Sequence, residues 1–223
     1  VRIDQYSGVM VGDLNGDGLD DLIKSHFENN SQGGVWTKGA YLNNGQGGFI
    51  INSGYEPPIY FHVTAYGEEH DEGVRLIDIN ADGLLDLLRY GSGINAYINT
   101  GSGWQINELW TPPLRWNYYV SDISSYIVNL NGDNLPDFIG TSQNGGPLLT
   151  YAYINNGVDG WVRDLEWQAP YDFRITNGST FADLNGDGLD DIIQSYSGLQ
   201  NYKRAFLNTG KKGWVEAAQY VPT

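Results

Sequence analysis

Oxygen-bearing side chains recur at fixed places in four nine-residue stretches of the chain. The first runs from Asp13 to Asp21 as DLNGDGLDD, and the second from Asp78 to Asp86 as DINADGLLD. The third runs from Asn129 to Asp137 as NLNGDNLPD, and the fourth from Asp183 to Asp191 as DLNGDGLDD. Positions 1, 3, 5 and 9 of every copy carry Asp or Asn. Position 6 is Gly in all but the third copy, as a tight turn with positive φ demands. Carboxylate and amide oxygens at alternate positions of a short turn are how a loop wraps a hard cation such as Ca²⁺. The acid of the chain is concentrated there. Of 27 acidic residues, thirteen lie in the four stretches, including Asp20 and Asp190 at position 8.

Those loops need elements to hold them, and the flanking sequence supplies the same ones each time. An apolar run precedes each loop: Val9–Val11, Val74–Ile77, Tyr126–Val128 and Thr180–Ala182. Another follows: Leu22–Ile23, Leu87–Leu88, Phe138–Ile139 and Ile192–Ile193. Short apolar runs bounded by turn residues predict buried strands, so each loop joins two strands of a hairpin. A third strand is predicted at Ala40–Asn43, Ala96–Asn99, Ala152–Asn155 and Ala205–Asn208, where small and branched residues alternate with an aromatic. Asn-Gly or Thr-Gly then predicts a turn. A fourth strand opens on Phe49, Trp104, Trp161 or Trp214 and is expected to run to Pro57, Pro112, Pro170 or Pro222.

Four antiparallel strands per unit of roughly 50 residues make the blade of a β-propeller. The expected fold is therefore all-β, a propeller of four four-stranded antiparallel blades at 1–58, 59–113, 114–170 and 171–223. Four units fit a closed four-bladed ring, part of a larger ring, or a self-association of two chains that completes an eight-bladed one.

Composition sets bounds on what such a chain does. A formal net charge of −15 argues against nucleic acid, whose backbone is read by basic residues. Four bound dications would bring that charge to about −7. No apolar run reaches the ~18 residues of a membrane-spanning helix. The absence of Cys excludes disulfides and thiolate metal sites. Calcium loops of this kind suit a calcium-rich, extracellular setting, whether secreted or at the cell surface.

The D-x-N-x-D-G-x-x-D loop at Asp13–Asp21, with the L-N-N-G-x-G-x-F segment at Leu42–Phe49, resembles the FG-GAP/VCBS repeat family. Integrin α-subunit propellers carry related calcium loops, as do some fungal lectins and the B components of bacterial toxin complexes. The resemblance extends over all four units. It implies a propeller and bound calcium, and it leaves function open among adhesion, scaffolding, sugar binding and toxin assembly. It also implies the ligands, together with the carbonyl at position 7. They are Asp13, Asn15, Asp17, Leu19 and Asp21 in site one, and Asp78, Asn80, Asp82, Leu84 and Asp86 in site two. Site three has Asn129, Asn131, Asp133, Leu135 and Asp137, and site four Asp183, Asn185, Asp187, Leu189 and Asp191. Up to four Ca²⁺ are expected. The third site should be the weakest, because Asn129 removes a charge and Asn134 replaces the turn glycine. An EF-hand is excluded by position 12, which holds Lys24, Arg89, Gly140 or Gln194 in place of a bidentate Glu.

Catalytic constellations are missing. His26, His62 and His70 have no catalytic spacing, and neither a nucleophile elbow nor a phosphate loop is present. Glu68, Glu69, Asp71 and Glu72 around His70 suit a solvated acidic loop better than a further cation site. Calcium is expected to be structural and the chain non-enzymatic. Partners are sought on three inserted connections, Phe27–Trp36, Tyr55–Tyr66 and Trp110–Tyr119, because loops on a rigid scaffold carry function. Their aromatics serve either a protein or a glycan, or else cover blade edges. The expectation is a calcium-stabilised interaction or adhesion module, with a lectin as the main alternative and a calcium-dependent polysaccharide-active enzyme as a more distant one.

Overall fold

The computed structural model describes residues 8–30, 33–65, 67–89, 93–113, 123–142, 149–167, 170, 173, 178–197 and 201–221. The chain is all-β and built of propeller blades, as the repeat predicts. It divides into two compact units, Val1–Pro112 and Pro113–Thr223, each with two blade sheets.

In the first unit, strands β1 (Val9–Gly12), β2 (Asp21–Asn30), β3 (Gly33–Asn43) and β4 (Phe49–Ile51) form one antiparallel meander. A hairpin of β5 (His62–Ala65) and β6 (Glu68–Asp71) extends that sheet. β5 pairs in parallel with the far half of β2, from His26↔His62 to Asn29↔Ala65. β2 is long enough to serve two partners in turn, because β1 occupies only its first four residues. The second blade is β7 (Val74–Ile77), β8 (Asp86–Arg89), β9 (Asn95–Asn99) and β10 (Trp104–Ile106).

The second unit repeats the meander twice. Its blades are β11 (Ile123–Val128), β12 (Asp137–Ser142), β13 (Leu149–Asn155) and β14 (Trp161–Asp164), then β15 (Ser179–Ala182), β16 (Asp191–Tyr196), β17 (Tyr202–Asn208) and β18 (Trp214–Glu216). The nine-residue loop joins the first two strands of every blade, as expected.

The outer strands are shorter than the sequence suggests. β4, β10 and β18 hold three residues each, and a single 3-10 turn follows at Ser53–Tyr55, Glu108–Trp110 and Ala218–Tyr220. Asn52 and Asn107 end those strands early by capping the turn, their side chains accepting from Gly54 N and Leu109 N.

Each unit has its own core. Leu14, Ile23, Ala40, Tyr55, Ile59, Phe61, Val74 and Leu87 cluster in the first. Val128, Leu130, Ile139, Ala152, Trp167, Phe173 and Ile192 cluster in the second. The apolar residue at loop position 2 is fully buried in Leu14, Ile79 and Leu130, so the loops are anchored from below by hydrophobic burial. Tyr55, Ile59 and Phe61 show that the Tyr55–Tyr66 connection spends its apolar residues on the core. No helix among the described residues is long and apolar enough to cross a membrane.

Candidate metal centre

The loops are curled by their own side chains. In the first, Asp13 Oδ1 accepts from Gly16 N (2.8 Å) and Asp17 N (3.2 Å), and Oδ2 accepts from Gly18 N (2.7 Å). Asn15 Oδ1 accepts from Asp17 N (3.0 Å), Asp17 Oδ1 from Leu19 N (2.9 Å), and Asp17 Oδ2 from Asn15 Nδ2 (3.0 Å). Positions 1, 3 and 5 are thereby drawn into one turn. The fourth loop repeats all six bonds through Asp183, Asn185 and Asp187. The second repeats the pattern through Asp78, Asn80 and Asp82.

Two loop positions take positive φ. Position 6 does so in Gly18 (84°), Gly83 (86°), Asn134 (65°) and Gly188 (85°), as the turn requires. Position 4 does so as well, in Gly16, Ala81, Gly132 and Gly186. The Gly at position 4 in three of the copies carried that signal.

Position 9 is a buried latch. Asp21, Asp86, Asp137 and Asp191 are wholly buried. One carboxylate oxygen accepts from the position-2 amide, Leu14 (2.9 Å), Ile79 (3.0 Å), Leu130 (2.9 Å) or Leu184 (2.9 Å). The other accepts from the amide that ends the third strand, Asn43, Asn99, Asn155 or Asn208, at 2.7–2.8 Å. Burial nevertheless pushes Asp86 and Asp137 up to about 7, against those bonds and with help from neighbouring loop carboxylates. Asp191 is raised for the same first reason. Asp183, by contrast, is held low by the Gly188 N–H and its other loop amides.

The asparagines that end the third strands complete the frame. Asn99 Nδ2 donates to Leu14 O in the neighbouring blade (2.8 Å) and to Leu85 O (3.2 Å). Asn208 Nδ2 does the same with Leu130 O (2.9 Å) and Asp190 O (3.4 Å). Their Oδ1 atoms accept from Gly101 N and Gly210 N. These asparagines follow Leu or Ile in every repeat, a signal that reads from sequence only as a strand end. The Leu at position 7 packs over the turn glycine of its own blade. A Cβ at Gly45, Gly157 or Gly210 would lie 3.2–3.3 Å from Leu19, Leu135 or Leu189 Cδ1.

The donor set of the first, second and fourth loops fits a hard dication: hard oxygens only, three carboxylates and an amide per loop. In the second and fourth loops the position-9 carboxylate is close enough to feel those at positions 1 and 5. Among the described residues no group of three or more His, Asp or Glu side chains closes on one point. In the third loop the side-chain amide of Asn129 turns to the fourth loop. Asp20 is exposed, whereas Asp190 is half-buried and accepts from Asn129 N across to the third loop (2.6 Å).

The three histidines come together on the extension of the first blade, although their sequence spacing gave no hint of it. His26 and His62 are register partners with ring centroids 5.3 Å apart, and His70 pairs with Val63. His26 Nε2 meets Thr64 Oγ1 at 2.9 Å. Burial, then His26, lowers the pKa of His62. Glu68, Glu69 and Asp71 lie in β6, and Glu72 pairs with Arg89. Phe27, Trp36 and Tyr60 pack on one another. Of the Trp110–Tyr119 connection only Trp110–Pro113 is described, with Trp110 buried; Trp116 and the rest lie outside the described residues.

No protein-family model matches the chain. It is 26% identical over 224 residues to a "T-cell immunomodulatory protein homolog" of Plasmodium yoelii yoelii, covering 88% of this chain and 30% of that protein. The same description belongs to a Plasmodium falciparum (isolate 3D7) protein, 26% identical over 201 residues, 74% of this chain and 28% of the relative. The chain thus spans less than a third of the curated relatives it matches. Among solved structures, it resembles an Agrocybe aegerita lectin studied for specific recognition of non-reducing terminal N-acetylglucosamine. The TM-score is 0.63 at 22% identity, over 92% of this chain and 49% of the lectin's. At that identity the likeness is one of fold.

Proposed function

We propose that this chain is a non-enzymatic binding module whose blades are held by structural calcium and which works outside the cell. The observation that carries the calcium half is the repeated turn. Three loops present the same Asp, Asn and Asp side chains on five shared hydrogen bonds, above a buried carboxylate whose charge has no basic partner in its loop. Bound calcium would neutralise these oxygens and cross-link the turn. Asp13, Asn15, Asp17 and Asp21, with the Leu19 carbonyl, would hold it in the first loop. The Asp78–Asp86 and Asp183–Asp191 sets would do so in the second and fourth. The backbone donors to Asp13, Asp78 and Asp183 orient these carboxylates before any cation arrives. The resemblance of the loops to FG-GAP/VCBS repeats supports the same reading.

The binding half rests on fold and on the absence of a catalytic constellation in the sequence. A protein partner is the leading choice. Glycan binding is the second reading, favoured by the fold shared with the Agrocybe aegerita lectin. A glycan array probed with calcium-loaded and chelated protein separates the two. Calcium-dependent, competable binding to one sugar class makes the chain a lectin. Silence from folded, calcium-loaded protein leaves the protein-binding module.

A further inference from the structure

The third loop differs from the others in where its first side chain points. In the first, second and fourth loops, the position-1 carboxylate offers both oxygens to its own turn, and the position-6 amide donates to Oδ2. Asn129 offers one oxygen. Its Oδ1 accepts from Gly132 N at 2.9 Å, while its Nδ2 leaves the loop and donates to Gly188 O of the fourth loop at 2.8 Å. Both arms fix that orientation, because exchanging them would set nitrogen against the Gly132 N–H and oxygen against the Gly188 carbonyl.

Two further bonds run beside it. Asn129 N donates to Asp190 Oδ2 at 2.6 Å, and Asp190 N donates to Asn129 O at 3.0 Å. A three-bond brace therefore ties the start of loop three to positions 6 and 8 of loop four. Among the described residues of the first unit, no such brace joins Asp13 to the second loop. Position 8 of the second loop is Leu85, which packs at Gly12.

Resting on the calcium reading above, we propose that loop four closes loop three in place of a cation, so that the chain holds three tightly bound calcium ions and not four. The chemistry is consistent throughout. Loop three has two carboxylates at ligand positions, Asp133 and Asp137, where the others have three, and fewer carboxylate ligands weaken a calcium site. Its first side chain has given one arm to a neighbour. Asn134, in the left-handed region at 65°, supplies the turn without glycine. Loop three is then a hydrogen-bonded turn whose order depends on loop four.

Native mass spectrometry of the folded protein, titrated with calcium and compared with a chelated sample, counts the ions directly. The expected result is three per chain at a calcium concentration that saturates binding, and four in Asn129→Asp, which restores the carboxylate and removes the side-chain bond to Gly188 O. Four equivalent ions in the unaltered chain would overturn this inference and leave the calcium reading standing. No bound calcium would overturn both. A second measurement works on protein whose loops are metal-free. Amide exchange at Asn129 should speed up at least tenfold in Asp190→Ala, and an unchanged rate would refute the brace even if Asn129→Asp fails to fold.

Discussion

Replacing Asn99 with alanine should destabilise the first unit by about 2–5 kcal/mol, whereas the same change at Asn43 should cost less than about 1 kcal/mol. The two residues hold equivalent places in successive blades, so sequence pattern alone assigns them equal weight. Their surroundings differ. Asn99 is 1% exposed, and its amide satisfies the carbonyl of fully buried Leu14 as well as Leu85 O, while its oxygen takes Gly101 N. Alanine leaves the Leu14 carbonyl without its donor in the core, a penalty of about 1–3 kcal/mol. The two half-buried groups add roughly 0.5–1 kcal/mol each. Asn43 is half-exposed, and the groups it bonds, Asp20 O and Gly45 N, are open to water, which replaces it. Urea denaturation followed by tryptophan fluorescence, at fixed calcium, measures both variants. Equal losses, or a loss below about 0.5 kcal/mol in Asn99→Ala, would refute the reasoning that burial of the acceptor sets the cost.

Three other outcomes follow from the same geometry. Without metal, the folded protein should lose stability as pH rises from 3.8 to about 7, because Asp86 and Asp137 keep their protons in the folded state over that window and release them unfolded. The loss is up to roughly 4 kcal/mol per group, and urea midpoints that rise across this window would contradict it. Gly18→Ala should cost about 1–2 kcal/mol, all of it conformational, since φ is +84° and an added Cβ meets nothing within 4 Å; a neutral result in thermal melts would mean the turn relaxes. Leu87→Ala, at a fully buried core position, should cost about 2–5 kcal/mol in the same melts, and a loss under 1 kcal/mol would place that side chain outside the core.

Much of the fold was legible because it is local. Val9–Val11 and Leu22–Ile23 lie on either side of their loop and pair with each other, and the loop glycines announce their own φ. What stayed hidden is what depends on distant partners. The parallel pairing of β5 with β2 joins segments that share no pattern, so the extension of the first blade and its three histidines were invisible. The resemblance of the loops to FG-GAP/VCBS repeats implies a ligand at the position-9 aspartate. Its burial and its two backbone donors appear only once the third strand returns to Asn43, Asn99, Asn155 or Asn208. Nothing at Asp190 itself signals its bond to Asn129, which depends on the preceding blade's loop.

The central claim is that calcium holds these blades, and thermal unfolding in millimolar calcium against chelator tests it most directly. A ligand at 100 times its Kd contributes about 2.7 kcal/mol per site, so the melting temperature should rise by several degrees or more. The rise should vanish when Asp17, Asp82 and Asp187 are changed together to alanine. Identical melting of the unaltered protein in calcium and in chelator would contradict the account.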